Sequence, residues 1–172
     1  MQKILITGMA GSGKSTVCVE LKRRGYNSYP IEDIDGMFNI YHKGTRTFFE
    51  GYSNLNPDDI ENAEWLCNTN KLLELIRAQK SEVGFYCGVS SDMNELFPYF
   101  DKVLVLKASA NTLNERLTNR EGTDDIGNNQ SGRDIILKRK ELWEKQMEEK
   151  GAIFIDANSS LEKVVEDVLR NI

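Results

Sequence analysis

The sequence predicts an α/β fold in three layers: one five-stranded parallel sheet with helices on both faces. Three observations carry this expectation. Short apolar runs alternate with helical patterns along the chain; the runs are apolar enough to be covered on both faces; and the first run passes directly into a glycine-rich stretch and then a helix.

Residues 3–7 form a β-branched apolar run that ends at Gly8. From 13 to 24, Val17, Leu21 and Arg24 recur at helical spacing until Gly25 stops the helix. A second strand is expected at 28–32. Residues 56–78 open on Asn-Pro-Asp-Asp, a helix start signal, and carry Ile60, Leu66, Leu72, Leu73 and Ile76, which predicts one long helix. Further strands fit 83–87, 102–106 and 152–155, with helices at about 110–120, 131–150 and 160–171. Two stretches have no assignment: 37–56, mixed aromatic and polar, and 121–132, rich in Gly, Asp and Asn. Each reads either as a solvated loop or as a cover over a site.

With 172 residues, 40% of them hydrophobic, the chain suffices for one well-buried core and is too short for two ordinary domains. A net charge of −5 gives no basic footprint for nucleic acid or an anionic membrane surface, so an anionic ligand needs a locally basic pocket. No apolar run approaches the roughly 20 residues of a membrane span, and residues 1–7 are too short to hold the charged and apolar parts of a signal peptide. The expected location is cytoplasmic, as a monomer or homodimer. Cys18, Cys67 and Cys87 are widely spaced, with His42 the single histidine, and are expected as buried free thiols.

Residues Gly8-Met9-Ala10-Gly11-Ser12-Gly13-Lys14-Ser15-Thr16 satisfy GxxxxGK[ST] between the first strand and the first helix. A triphosphate must be wrapped by successive backbone N–H groups, and glycine permits the positive φ angles and close approach that this requires. The helix N-terminus adds free N–H groups and a positive dipole end. The expected ligands are ATP and Mg²⁺. Gly8, Gly11, Ser12, Gly13, Lys14, Ser15 and Thr16 hold the nucleotide, Lys14 bridges the β- and γ-phosphates, and the Ser15 hydroxyl is a magnesium ligand.

Other nucleotide-binding classes fit less well. A guanine-reading NKxD element has only Asn70-Lys71-Leu72-Leu73-Glu74 to match it, which lacks the aspartate and lies in a predicted helix. Asp33-Ile34-Asp35-Gly36 fits DxxG but follows the loop too closely. Motor and transporter ATPases need longer chains and an acidic residue ending a core strand, and Val83–Cys87 has none. Small-molecule kinases remain.

The loop also fits GxxGxGKST, and the chain resembles the nucleoside-monophosphate kinase and shikimate kinase superfamily over nearly its whole length. Asp33 and Asp35 resemble a DxD pair in which one carboxylate organises magnesium and the other contacts the acceptor hydroxyl. Gly88 resembles the glycine turn that holds the acceptor; Arg116 and Arg120 resemble the RxxxR element before the lid; Asp156-Ala157 resembles the adenine-side segment. The resemblance implies an ATP-dependent phosphotransferase with a small-molecule acceptor, an acceptor cover at about 37–63 and a lid at about 121–132 of a single domain, 1–172. Neither the Gly-Phe-Pro-Arg of adenylate kinases nor the triple glycine of shikimate kinases follows the third strand. The acceptor is therefore open.

If the second strand continues, Asp33 and Asp35 share one side with Ile34 turned to the core. By family order Asp33 takes the metal and Asp35 the acceptor's proton, and Glu32 is a replacement for either. Arg116 and Arg120, four apart, share a helical face; one is suited to stack on adenine and the other to neutralise phosphoryl charge. Arg133 is a second lid arginine or a surface residue, and the run Lys138-Arg139-Lys140-Glu141 reads as a solvated face. On the acceptor side Arg46, Glu61, Trp65 and Asn68 join Asp35 and Gly88, with Glu61, Trp65 and Asn68 at i, i+4 and i+7 of the long helix. The aromatic plate favours a nucleoside or nucleotide. A shikimate- or gluconate-like sugar acid is the alternative acceptor, and an ATP-hydrolysing switch or assembly protein the alternative function.

Overall fold

The computed structural model describes residues 1–120, 126–127 and 129–172. In chain order the elements are β1 (Gln2–Thr7), α1 (Lys14–Arg23), β2 (Asn27–Pro30), β3 (Phe38–His42), α2 (Pro57–Asn62), β4 (Ala63–Cys67) and α3 (Thr69–Arg77). They continue with β5 (Val83–Cys87), α4 (Met93–Leu96), β6 (Lys102–Lys107), α5 (Ala110–Thr118), α6 (Gln130–Glu149), β7 (Ile153–Asp156) and α7 (Leu161–Arg170).

The five-stranded parallel sheet is present, in the order β2-β5-β1-β6-β7. β1 is central because both of its faces are apolar. Ile4 and Ile6 point into one layer with Val17 and Leu21 of α1 and Val164, Val165 and Val168 of α7. Leu5 points into the other with Tyr86, Leu72 of α3, Met93 of α4 and Met147 of α6. All three β1 side chains have 0% exposure, the two-sided burial that a parallel sheet demands. The ordering places Gly8, Gly88 and Ala108, the residues that follow β1, β5 and β6, side by side at the carboxyl edge. Cys18, Cys67 and Cys87 are free and buried, as expected. Among the described residues no helix is long and apolar enough to cross a membrane.

Two expectations are corrected. The second strand stops at Pro30, which an edge strand tolerates, and a 3₁₀ turn over Ile31–Asp33 follows as the Ile31 side chain turns into the core at 0% exposure. Asp33 and Asp35 therefore do not alternate along a strand, and both are exposed. The long helix over 56–78 is two helices separated by β4, which pairs antiparallel with β3 in a separate two-stranded ribbon and sets Trp65 opposite Ile40. The unassigned 37–56 stretch supplies that partner strand. Glu61, Trp65 and Asn68 consequently lie on α2, on β4 and at the N-cap of α3, and share no helical face.

Asn68 starts α3 in the usual polar way: its φ of −75° and ψ of 91° are non-helical, and its Oδ1 accepts from the Lys71 N–H at 3.2 Å. Asn68→Ala is expected to cost about 1 kcal/mol of stability, and Asn68→Asp much less. The midpoint of urea unfolding measures both; equal losses would show that the side chain does something other than cap.

Candidate active site

The phosphate loop is built on close approach. A Cβ at Gly8 would lie 2.8 Å from the Leu106 carbonyl oxygen and 2.6 Å from Ser12 Oγ. Gly11 and Gly13 have φ of 84° and 97°, left-handed values that side chains rarely adopt. Gly13 is the N-cap of α1, so the helix's free N–H groups open onto the loop. Lys14, 7% exposed, folds its ammonium over the loop and donates to the Gly8 carbonyl at 3.1 Å. Burial pushes the Lys14 ammonium below the ordinary lysine value; Glu32 opposes the shift and Arg120 adds to it. Ser12 Oγ is buried and has no hydrogen-bond partner among the described residues. A hidden cation and an unsatisfied hydroxyl inside a cradle that a Cβ would fill together fit a phosphate group.

Glu32, not named first among the acidic residues from sequence, is the carboxylate that faces the loop. Its Oε1 is 3.8 Å from Lys14 Nζ and accepts from the Val89 N–H at 2.9 Å. Gly88 makes this approach feasible: a Cβ there would sit 2.6 Å from Ile31 Cγ1 and displace the turn that carries Glu32. The Asp35 backbone carbonyl accepts from Lys71 Nζ, which ties the turn to α3. Ser15, beside Lys14 at the start of α1, is exposed. Among the described residues no group of three or more His, Cys, Asp or Glu side chains converges as a metal cage.

Arg116 braces the nucleotide side, donating from Nη2 to the Ala157 carbonyl at 2.9 Å and from Nη1 to the Ser12 and Gly11 carbonyls at 3.4 and 3.5 Å. α5 ends at Thr118, so Arg120 lies past the helix rather than on a shared face with Arg116, yet its charge acts on Lys14. Asn158 joins the neighbouring turns through its Oδ1, which accepts from the Ser109 N–H at 2.8 Å.

The loop after Gly88 is stitched to β4. The Ser91 N–H donates to the Trp65 carbonyl at 2.7 Å, Ser91 Oγ accepts from the Trp65 N–H at 3.0 Å, and both Asp92 carboxylate oxygens accept from the Cys67 N–H at 3.2 Å. Trp65, 38% exposed, is thereby fixed beside the Gly88 loop. Arg46, at a left-handed φ of 53°, pairs with Glu95 at 3.2 Å, and both are exposed. Glu61 is exposed on α2. Lys71, Ser91 and Asp92 escaped the sequence reading because the partners they bond lie 25 to 36 residues away, whereas Glu32 was legible there as a replacement for either aspartate.

The lid expectation falls partly outside the described residues, at 121–125 and 128. Of the remainder, Gly127 has a φ of 97°, and the Arg133 guanidinium donates to the Gly127 carbonyl at 3.0 Å and to Gln130 Oε1 at 2.9 Å. In the run 138–141, Lys138, Arg139 and Glu141 are exposed, as a solvated face requires; Lys140, 12% exposed, pairs with Glu144 at 2.7 Å, and Arg139 also reaches α2.

The coordinates resemble several solved structures. A deoxyadenosine kinase from M. mycoides with bound dATP superposes with a TM-score of 0.58 at 19% identity, over 99% of this chain and 98% of that one. TT1252 from Thermus thermophilus gives 0.61 at 17% identity, over 99% and 97%. A gluconokinase from Sinorhizobium meliloti gives 0.54 at 17%, over 98% and 90%. At these identities the likeness establishes the P-loop small-molecule kinase fold. No curated protein matches the sequence. The family AAA_18, described as an AAA domain, matches residues 4–136, most of the chain including the phosphate loop and both arginines of the RxxxR element. The chain belongs to this AAA domain family.

Proposed function

We propose that the protein is an ATP-dependent kinase that transfers the γ-phosphoryl group to a small hydroxyl or phosphate acceptor, with a nucleoside or nucleotide favoured. The observation that carries this reading is the juxtaposition of the buried Lys14 ammonium with the Glu32 carboxylate, 3.8 Å apart at the carboxyl edge of the sheet. A phosphate cradle with a carboxylate at its acceptor side is what in-line transfer to a hydroxyl requires.

Gly8, Gly11, Ser12, Gly13, Lys14 and Thr16 bind the phosphates, and Arg116 and Arg120 serve the nucleotide and the developing charge. Ser15 and Asp33 would hold magnesium, which would supply positive charge to offset that of the phosphates. Glu32 takes the acceptor's proton, because it faces Lys14 whereas Asp33 and Asp35 point to solvent. Asp35 contacts the acceptor, with Gly88, Trp65, Arg46, Glu61 and Asn68 around it. Residues 37–63 are the acceptor cover and 121–132 the lid of a single domain. Within this fold a deoxyadenosine kinase supports the nucleoside reading and a gluconokinase the sugar-acid one; Trp65, a partly exposed aromatic residue whose backbone is bonded to Ser91 in the loop after Gly88, favours the first.

ADP production with a panel of nucleosides, nucleoside monophosphates and small hydroxyacids tests this. Stimulation by a member of the first two groups is expected. Stimulation confined to hydroxyacids would move the acceptor to the sugar-acid class, and turnover indifferent to every compound would identify an ATP-hydrolysing switch.

A further inference from the structure

α2 is six residues long, too short to hold its own shape, and it ends at Ala63 in extended backbone without a glycine cap. Its last carbonyls are satisfied from outside: Arg139 Nη2, on α6, donates to the Ile60 carbonyl at 3.2 Å and to the Glu61 carbonyl at 3.4 Å. A cation at the carbonyl end of a helix also complements its dipole. The Tyr52 phenol feels the same guanidinium: burial pushes it up, Asp59 adds to that, and the Arg139 charge pulls it down. A second tie lies one helix segment earlier, where Asn129 caps α6 through Oδ1 and donates through Nδ2 to the Leu55 carbonyl at 3.4 Å.

Ile136, three residues before Arg139 on α6, lies toward the phosphate loop. A Cβ at Gly127 would stand 3.3 Å from Ile136 Cδ1 and 3.1 Å from Leu117 Cδ2, and a Cβ at Gly11 would stand 3.1 Å from Leu117 Cγ. Gly11, Leu117, Gly127 and Ile136 are thus close neighbours, and Arg139, on the same helix as Ile136, bonds to α2, which leads through β4 to the Ser91 loop.

We propose that Arg139 is a positioning residue that links nucleotide occupancy at the phosphate loop to ordering of the acceptor cover, by capping the carbonyl end of α2 from α6. This rests on the reading of Gly8–Thr16 as the nucleotide site and of 37–63 as the acceptor cover. A contiguous set of contacts is not itself coupling, so the test measures transmission. Hydrogen exchange is followed with and without magnesium and a non-hydrolysable ATP analogue, in the unaltered protein and in Arg139→Met and Arg139→Lys.

In the unaltered protein the analogue is expected to slow exchange at 8–16 and also, by about 5-fold or more, at 55–67. In Arg139→Met the slowing at 8–16 persists while that at 55–67 falls below about 2-fold, the lower end of measurable coupling. Arg139→Lys, with one ammonium for two carbonyls, falls between them and carries the test if the methionine variant folds poorly. A purely structural role would speed exchange at 55–67 equally with and without nucleotide and leave the ratio unchanged; that result, or full transmission in both variants, overturns the inference. Slowing at 8–16 without any at 55–67 in the unaltered protein overturns it too. No response at 8–16 removes the nucleotide-site reading itself, and this inference with it.

Discussion

Glu32→Gln is expected to lower the rate of phosphoryl transfer by roughly 10²–10⁴-fold, the range for a general acid–base group, while leaving Mg-ATP affinity within a few-fold. The amide keeps the size of the side chain and an oxygen for the Val89 N–H, which Glu32 Oε1 engages at 2.9 Å, so the turn at 31–33 should hold its place. What is lost is the negative charge 3.8 Å from Lys14 and the capacity to take a proton. Single-turnover transfer and calorimetric titration of Mg-ATP separate the two effects. Asp35→Asn is the comparison: its carboxylate is exposed and contacts the acceptor, and its turn is held by the backbone carbonyl bonded to Lys71, which the substitution keeps, so it should raise the KM for the acceptor with a smaller loss of rate. If Glu32→Gln destroys nucleotide affinity and spares turnover, Glu32 belongs to the metal and phosphate side, and the proton passes to one of the aspartates.

Lys14→Ala is expected to weaken Mg-ATP binding by roughly 30- to 700-fold, which corresponds to about 2–4 kcal/mol for removal of a buried charge that pairs with an opposite charge. The fold should persist, because the loop is shaped by Gly8, Gly11 and Gly13 and not by this side chain. The loss should exceed that from removing the Ser12 or Ser15 hydroxyl, since Lys14 is the one cation of the loop. A corollary follows from burial, which holds the Lys14 ammonium below the usual lysine range. Bound phosphate favours the charged form, so affinity should decline as pH rises through the depressed value, with proton uptake on binding at that pH. Calorimetry in two buffers of different ionisation enthalpy detects the uptake. Unchanged affinity in Lys14→Ala would remove the phosphate-loop assignment.

The parts of the molecule that were legible in the sequence are those set by neighbours along the chain. β1, the loop and α1 could be read because left-handed glycines and a helix start are local requirements, and Val83–Cys87 because an apolar run flanked by polar residues has few other uses. The 56–78 segment was not legible, since its strand state depends on β3 and on Ser91 and Asp92, about 25 residues away on either side. Two short capped helices then read as one long one. The prominence of Glu32 over Asp33 and Asp35 depends on where Ile31 enters the core, which the pairing of Pro30 with Cys87 fixes from 57 residues away. Arg139 is exposed, as the charge run suggested, but nothing in the pattern of α6 announces that it also reaches α2.

The central claim is transfer rather than hydrolysis, and the fate of a labelled γ-phosphoryl group tests it most directly. With ATP labelled at the γ-position, magnesium and the stimulating acceptor, the label is expected in a phosphomonoester or phosphoanhydride of that acceptor, in proportion to the ADP formed. Label recovered only as inorganic phosphate, at a rate the acceptor does not alter, would contradict the account.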